Sequence, residues 1–294
     1  MPAKYGILVG VDGSPSSIAA VDWAARDAAL HNLPLTLAHI LAPPVVMTFP
    51  ETPMPPGYTE WQREQGEQHL RQARKIVEGY TGPAGPLRIT AETVVGSTVP
   101  MLVDMSAEAE RVVVGSRGHG RLRRSLLGSV SSSLVRHAHG PVVVAHEGAA
   151  HPAEAPVVVG IDGSPVSEAA TALAFEEASL RGVELIAVYA WHDTSVADFP
   201  GIDSAAMASD GELVLAERLA GWHERYPDVT VRRVAVSDRP ADQLIEQSQA
   251  AQLVVVGSHG RGGFTGMLLG SVSLAVVQSA HCPVLVARGG TPTT

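Results

Sequence analysis

Two glycine-rich segments of this 294-residue chain carry the residue types best suited to binding chemistry. They read Gly115-x2-Gly118-x9-Gly128-Ser129 and Gly257-x2-Gly260-x9-Gly270-Ser271. Glycine lets the backbone approach a bulky anion, and a Gly-Ser step that opens a helix presents free N–H groups and the positive end of the helix dipole. The spacing therefore predicts two phosphate-binding loops. Tight turns without a ligand are the alternative, but turns alone seldom fix the same nine-residue gap twice.

An acidic residue follows an apolar, β-branched run in each half of the chain. Asp12 comes after Ile7 to Val11, and Asp162 comes after Val157 to Ile161. A carboxylate in this position can accept hydrogen bonds from ribose hydroxyls or from an adenine amino group. It can equally cap the helix that follows, and the two roles are compatible.

Two common nucleotide motifs do not fit the glycine segments. A Walker A loop needs a lysine beside its last glycine, and Lys4 and Lys75, the two lysines of the chain, lie far from both segments. The dinucleotide fingerprint fails because Arg123 and Thr265 stand where its third glycine is required. A P-loop NTPase is therefore excluded, and NAD binding is disfavoured.

The chain contains the same unit twice. The segment Ile7 to Pro15 reappears 150 residues later, whereas the glycine segments repeat after 142 residues, so the first copy holds 150 − 142 = 8 extra residues. We place them in Pro43 to Tyr58, which contains six prolines. The polar stretch Glu147 to Ala155 reads as a linker, and the predicted domains are residues 1–147 and 155–294.

Each copy alternates buried strands with amphipathic helices. In the first copy we predict five strands, at Ile7–Val11, Leu35–Leu41, Leu87–Val94, Arg111–Gly115 and Pro141–Ala145. The predicted helices of the first copy are Ser16–His31, Thr59–Tyr80, Pro100–Glu108 and one that starts near Gly128. Ser14 or Ser16 is the predicted N-cap of the first of them. In the second copy, one predicted helix is Gly211–Tyr226. The pattern indicates an α/β protein with two tandem doubly wound domains, each a five-stranded parallel sheet with helices on both faces. Such sheets bind ligands beyond the carboxyl ends of their strands.

Composition excludes several classes of function. Lysine and arginine number 21 against 30 acidic residues, and a net charge of −9 argues against nucleic acid as a partner. The single cysteine, Cys282, cannot form an internal disulfide. No apolar stretch approaches the roughly 20 residues that span a bilayer, and the N-terminus has no signal-peptide pattern. We expect a cytoplasmic protein without a membrane span.

The glycine segments, the Val-Gly-Val/Ile-Asp-Gly-Ser opening and the closing Pro-Val strand together resemble the universal stress protein family, in its ATP-binding branch. The tandem arrangement is similar to the two-domain form of actinobacteria such as mycobacteria, and the resemblance covers Tyr5–Ala145 and Pro156–Arg288. It implies an adenine nucleotide alpha hydrolase-like fold that binds ATP in each domain, with Mg²⁺ as a candidate companion ion.

The resemblance also implies a set of binding residues in each domain. In the first domain these are Gly10, Val11, Asp12 and Ala42 for the nucleoside, and Gly115, Ser116, Arg117, Gly118, His119, Gly120, Arg121, Gly128, Ser129, Val130 and Ser131 for the ribose and phosphates. In the second domain they are Gly160, Ile161, Asp162 and Ala190, then Gly257, Ser258, His259, Gly260, Arg261, Gly262, Gly263, Gly270, Ser271, Val272 and Ser273. Arginines are more numerous in the first loop. If they bind phosphate, the two sites should differ in affinity; the alternative is that these arginines only form a solvated loop.

The expected function is that of a regulator or sensor in stress adaptation, such as dormancy or growth control in a mycobacterium-like host. Neither glycine loop brings a nearby pair of acids, so we expect a binding module without catalytic residues. A slow ATPase or a nucleotidyl-transfer enzyme on the same fold is the alternative. The resemblance further implies that the two domains pair as an intrachain pseudo-dimer through strand five, and that the chain forms a homodimer and has an unknown regulatory protein partner.

Overall fold

The computed structural model describes residues 3–43, 56–118, 127–148, 152–191, 204–237, 239–260 and 268–288. The chain divides into two units, Met1–Glu147 and Gly148–Thr294. Each unit has its own buried parallel sheet, and each is described by itself below.

The first unit alternates strands and helices along its whole length. In chain order its elements are β1 (Ile7–Gly10), α1 (Pro15–His31), β2 (Leu35–Leu41), α2 (Tyr58–Val77), β3 (Thr81–Gly82), β4 (Gly85–Pro86), β5 (Ile89–Val95), α3 (Thr98–Ser106), β6 (Arg111–Gly115), α4 (Ser129–His137) and β7 (Val142–Ala145). Its main sheet has the order β5-β2-β1-β6-β7 with every pair parallel.

The strand order of the first sheet reverses at its centre. From β1 the chain moves outward through β2 to β5, and it then returns to β6 on the other side of β1 and continues to β7. At a reversal of this kind the two neighbouring loops leave the sheet in opposite directions, which opens a crevice beyond the carboxyl ends of the strands. The crevice of the first unit therefore lies beyond Gly10 of β1 and Gly115 of β6.

The core of the first unit follows from its continuous apolar strands. Val112 and Val113 of β6 and Val142 and Val143 of β7 are fully buried, as expected for a parallel sheet covered on both faces. Helices α1 and α2 pack against each other, and so do α3 and α4. The start of α1 is fixed by Ser14, whose hydroxyl accepts a hydrogen bond from the N–H of Ser17 at 3.2 Å.

The second unit repeats this architecture. Its elements are β8 (Val157–Gly160), α5 (Pro165–Arg181), β9 (Leu185–Trp191), α6 (Ser204–Leu219), α7 (Trp222–Arg225), β10 (Val231–Ser237), α8 (Pro240–Gln247), β11 (Leu253–Gly257), α9 (Ser271–Ser279) and β12 (Val284–Ala287). These five strands are again parallel neighbours, in the order β10-β9-β8-β11-β12. The predicted α/β class, with a parallel sheet flanked by helices in each of two tandem domains, is confirmed.

Two predicted helices differ from those observed. Helix α2 ends at Val77, short of the predicted Tyr80, and the glycine-rich residues that follow form the two-stranded β3-β4 hairpin. The predicted helix Gly211–Tyr226 is two helices, α6 and α7, which are separated at Gly221, where φ is 81°. A φ of that sign is left-handed and breaks a right-handed helix.

Residues 44–55, which include most of the proline-rich segment, lie outside the described part of the chain. Among the helices that are described, none combines the length and the apolar character needed to cross a lipid bilayer.

Candidate functional site

A cavity opens at the carboxyl edge of the sheet in each unit. The first, of about 610 Å³, is lined by the ends of β1, β2 and β6 and by the first turns of α3 and α4. The second, of about 350 Å³, is lined by the corresponding β8, β9, β11, α8 and α9. Both cavities lie at the reversal of strand order, where the topology predicts a ligand.

Asp12 is held at the rim of the first cavity by local hydrogen bonds. Its Oδ1 accepts from the N–H of Ser14 at 2.9 Å and from the Ser14 hydroxyl at 2.6 Å, while its own N–H donates to Ser17 Oγ at 3.1 Å. The N-cap of α1 is Ser14. Asp12 therefore does not serve as the cap, and its carboxylate is among the groups that line the cavity.

The second unit holds Asp162 in the same way. The N–H of Ser164 donates to Asp162 Oδ1 at 2.9 Å, and Ser164 is the N-cap of α5. The N–H of Asp162 donates to Ser167 Oγ at 3.1 Å. The two carboxylates thus occupy equivalent positions in the two cavities.

The glycines after β6 are required by close packing. A Cβ on Gly115 would lie 2.5 Å from the carbonyl carbon of Ser16, and a Cβ on Gly118 would lie 2.5 Å from Asp12 Oδ2. In the second unit a Cβ on Gly260 would collide with the Asp162 carboxylate in the same manner. The glycine at the second motif position therefore makes room for the acid of the cavity.

The last motif glycine begins the helix that faces the cavity. Gly128 is the N-cap of α4, its N–H donates to the carbonyl of Ser116 at 2.8 Å, and no side chain caps the helix. The N–H groups in the first turn of a helix have no acceptor within it, and here that turn is Ser129, Val130 and Ser131, all of which line the cavity. Backbone donors at the positive end of a helix dipole favour an anion at this wall.

Helix α9 begins in the same arrangement. Gly270 is its N-cap without a side-chain cap, and the Gly270 N–H donates to the carbonyl of Ser258 at 2.7 Å. The hydroxyl of Ser273 donates to the carbonyl of Gly257 at 2.5 Å. The backbone connection between loop and helix is therefore the same in both units, whereas the Ser131 hydroxyl of the first unit donates to the carbonyl of Ser116, at 3.1 Å.

Part of the wall of each cavity is apolar. In the first unit Ala38, Leu102 and Val114 line it, and in the second unit Val188, Leu244 and Val256 do so. An apolar slot beside a carboxylate and a helix N-terminus can accept a planar base, a sugar and a phosphate in that order.

Most of the predicted binding residues meet in these cavities. The first is lined by Gly10, Val11, Asp12, Gly115, Arg117, Gly118, Gly128, Ser129, Val130 and Ser131. The second is lined by Gly160, Ile161, Asp162, Ala190, Gly257, His259, Gly260, Gly270, Ser271, Val272 and Ser273. His119, Gly120 and Arg121, like Arg261, Gly262 and Gly263, lie outside the described residues.

Three predicted residues lie away from the cavity walls. Ser116 and Ser258 are buried, and their carbonyl groups accept the hydrogen bonds that seat α4 and α9. Ala42 is exposed beyond the end of β2, where its carbonyl accepts from Gln62 Nε2 at 3.4 Å. The strand contributes Ala38, His39 and Ile40 to the cavity instead.

Sequence reasoning missed several lining residues that the repeat itself could have revealed. Ile40 is the counterpart of Ala190 at the offset of 150, and Leu102 is the counterpart of Leu244 at the offset of 142. Ser17 and Ser167 form a further matched pair that lines the cavities. Comparing the two copies position by position is the signal that would have found them.

The two cavities differ in their polar side chains. Arg117 of the first loop is replaced by His259 in the second, and Thr98 of α3 is replaced by Pro240. His39 lines only the first of the two cavities, where its Nδ1 lies 2.7 Å from the carbonyl oxygen of Val11. The two cavities therefore share a backbone arrangement but differ in their charged and hydrogen-bonding side chains.

Comparison with known proteins identifies relatives over nearly the whole chain. The model of the universal stress protein family matches residues 6–146 and 155–288. A universal stress protein of Mycobacterium tuberculosis is 56% identical over 288 residues, which cover 97% of each chain, and one of Mycolicibacterium smegmatis is 52% identical over 289 residues with the same coverage. The solved structure of a universal stress protein from Archaeoglobus fulgidus, at 20% identity, covers 97% of this chain and 98% of its own with a TM-score of 0.67.

Proposed function

This chain belongs to the universal stress protein family, and from that premise we propose that each of its two domains binds one molecule of ATP. The observation that carries the proposal is the duplicated cavity. In both domains an apolar slot, one carboxylate and an uncapped helix N-terminus meet at the same edge of the sheet. Folding alone would not require the apolar slot, the carboxylate and the helix N-terminus to lie together in both domains.

Each part of the cavity suits one part of ATP. The apolar wall of Leu102 and Val114, or of Leu244 and Val256, can cover the adenine. Asp12 or Asp162 can accept from ribose hydroxyls. The phosphates would meet the first-turn N–H groups of α4 or α9, which are permanent donors in an otherwise acidic protein.

Mg²⁺ bound to the triphosphate is compatible with these cavities. Magnesium is commonly held by one or two carboxylates together with phosphate oxygens and water. Among the described lining residues, Asp12 is the one acid of the first cavity and Asp162 the one acid of the second. When bound, the ion would neutralise phosphate charge, and the described lining would offer it one carboxylate ligand in each cavity.

We propose a role for this binding in the regulation of stress adaptation and not in turnover of ATP. Phosphoryl transfer needs a second group that orients the attacking nucleophile beside the metal ligands. One carboxylate in each cavity, already engaged with a serine, does not provide that pair. The proposal extends to a cytoplasmic homodimer that signals to a regulatory protein.

The decisive experiment is to release and quantify the nucleotide of the purified protein. We expect mass spectrometry to identify ATP, and calorimetric titration of the emptied protein to give two equivalents for each chain. Single-turnover assays with labelled ATP should return intact nucleotide, whereas steady release of phosphate would favour the ATPase alternative. Absence of both bound nucleotide and ATP binding would refute the proposal. Light scattering that gives a monomer at every concentration would refute the homodimer.

A further inference from the structure

The first turn of α1 is tied to the glycine loop of the first cavity by one buried hydroxyl. Ser16 is only 5% exposed, and its Oγ donates a short hydrogen bond to the carbonyl oxygen of Arg117. Arg117 stands in the middle of the Gly115–Gly118 loop, 101 residues further along the chain. A helix that forms the wall of the domain is therefore attached directly to the candidate phosphate loop.

The neighbouring serines have other partners. The Ser14 hydroxyl lies 3.4 Å from the same carbonyl of Arg117 but only 2.6 Å from Asp12 Oδ1, and its single proton favours the charged acceptor. The Ser17 hydroxyl interacts with the Asp12 N–H and the Gly10 carbonyl, at 3.1 and 3.3 Å. Of these three serines, Ser16 is the one whose hydroxyl donates its hydrogen bond to the loop.

The hydrogen bond to the Arg117 carbonyl also sets the direction of the N–H group that follows it. The carbonyl and the following N–H of a planar trans peptide point in opposite directions, so the N–H of Gly118 is turned away from α1. Arg117 itself is exposed and is among the residues that line the cavity. The hydroxyl of Ser16 therefore orders the Gly118 backbone donor before any ligand arrives, which lowers the entropy lost on binding.

The second domain keeps the other two serines and lacks this one. Ser164 and Ser167 match Ser14 and Ser17 at the offset of 150, but the position of Ser16 is taken by Val166, which has no hydroxyl. The packing differs accordingly. A Cβ on Gly257 would lie 3.2 Å from the carbonyl carbon of Val166, against 2.5 Å for Gly115 and Ser16, so the loop sits closer to its helix in the first domain.

We propose that Ser16 is a positioning residue that preorganises the phosphate loop of the first site. Its replacement by Val166 gives the second site the lower affinity for phosphate. This inference rests on the proposed function, because it assigns the difference between two nucleotide sites. The difference concerns the phosphates and not the nucleoside, since the tied peptide belongs to the glycine loop.

The test measures each site separately. The Gly260→Val variant, in which the second site is blocked, serves as the parent. Calorimetry then compares its affinities for ATP, ADP and adenosine with those of the same variant carrying Ser16→Ala. Loss of one hydrogen bond predicts about fivefold weaker binding of ATP and ADP with adenosine unchanged. With the first site closed by Gly118→Val, Val166→Ser should bind ATP up to about fivefold more tightly. Val166→Ala, which makes similar space without a hydroxyl, should show no such gain.

The pattern across ligands separates positioning from a general structural role. Unchanged ATP affinity in Ser16→Ala, or an equal loss for ATP and adenosine, would overturn the inference while the proposed function stands. A gain in Val166→Ala equal to that in Val166→Ser would overturn it as well. If neither parent binds ATP, the proposed function itself fails and this inference falls with it. The Val166→Ser comparison decides the matter independently if Ser16→Ala folds poorly.

Discussion

Adding a single methyl group at Gly118 should weaken the first nucleotide site. In Gly118→Ala the new Cβ would lie 2.5 Å from Asp12 Oδ2, well inside van der Waals contact. The backbone of the loop is held by Ser16, so the carboxylate has to rotate. Gly260→Ala should act on Asp162 in the same way in the second site.

The size of the effect follows from the bonds that the rotation breaks. Oδ1 of Asp12 accepts from the Ser14 N–H at 2.9 Å and from the Ser14 hydroxyl at 2.6 Å, and it moves with Oδ2 because the carboxylate is rigid. A hydrogen bond to a charged group contributes about 1.5–3 kcal/mol. A rotated Asp12 carboxylate would lose its hydrogen bond to the ribose, and loss of one such bond, at about 2 kcal/mol, corresponds to a roughly 30-fold weaker nucleotide site.

The assay is a calorimetric titration with ATP, in which the wild-type chain should bind two equivalents. Gly118→Ala and Gly260→Ala should each retain one equivalent at its wild-type affinity and bind the other about 30-fold more weakly, and the double variant should bind both equivalents weakly. Gly140→Ala is the matched control. There a Cβ meets nothing closer than the Ala109 carbonyl at 3.6 Å, and the second domain already carries Cys282 at this position.

The steric reasoning would be refuted if both sites of Gly118→Ala kept their wild-type affinities. It would also fail if Gly140→Ala lost as much affinity as Gly118→Ala, because the loss would then follow from glycine replacement in general. Circular dichroism and thermal unfolding of all variants establish that each comparison concerns folded protein.

Three further predictions concern stability and reactivity. Arg111→Leu should lower the free energy of unfolding by about 3–5 kcal/mol in urea titrations, because it leaves the Asp27 carboxylate, which is 1% exposed, without the guanidinium 3.0 Å away. Adding Asp27→Leu should recover most of this loss; no recovery would contradict the buried-charge account. Leu102→Ala, at a 2% exposed site, should cost about 2–5 kcal/mol in the same assay. Burial raises the pKa of the Cys282 thiol to about 12, so at pH 8 a disulfide reagent should label denatured protein and spare native protein.

The sheets could be predicted closely because buried parallel strands are continuous apolar runs. The predicted bounds of β2 and β6 are those observed, Leu35–Leu41 and Arg111–Gly115. The start of α1 was predicted at Ser16 with Ser14 or Ser16 as the N-cap, and the structure begins the helix at Pro15 with Ser14 as the cap. Local chemistry was sufficient for these elements.

Parts of the candidate site could not be read because they depend on which residues of a strand line the cavity and on contacts between distant segments. Ala42 was placed near the nucleoside because it follows β2, whereas the cavity is lined by Ile40, two residues earlier in the chain. The contact of Ser16 with Arg117 joins residues 101 positions apart and has no local pattern. Only tertiary structure brings such residues together.

The two domains diverge in side chains and agree in backbone, and this division would let an acidic chain present the two anion sites that we propose. The N–H groups of the first turns of α4 and α9 do not depend on the identity of any side chain, so changes at Arg117, Thr98 or Ser16 leave them in place. A net charge of −9 then has little bearing on the sites, because oriented peptide dipoles act locally. Duplication can therefore preserve the capacity to hold phosphate while the replaced side chains set how tightly each copy holds it. Matched exchanges between the copies, such as Arg117→His against His259→Arg, should transfer part of the affinity difference from one site to the other.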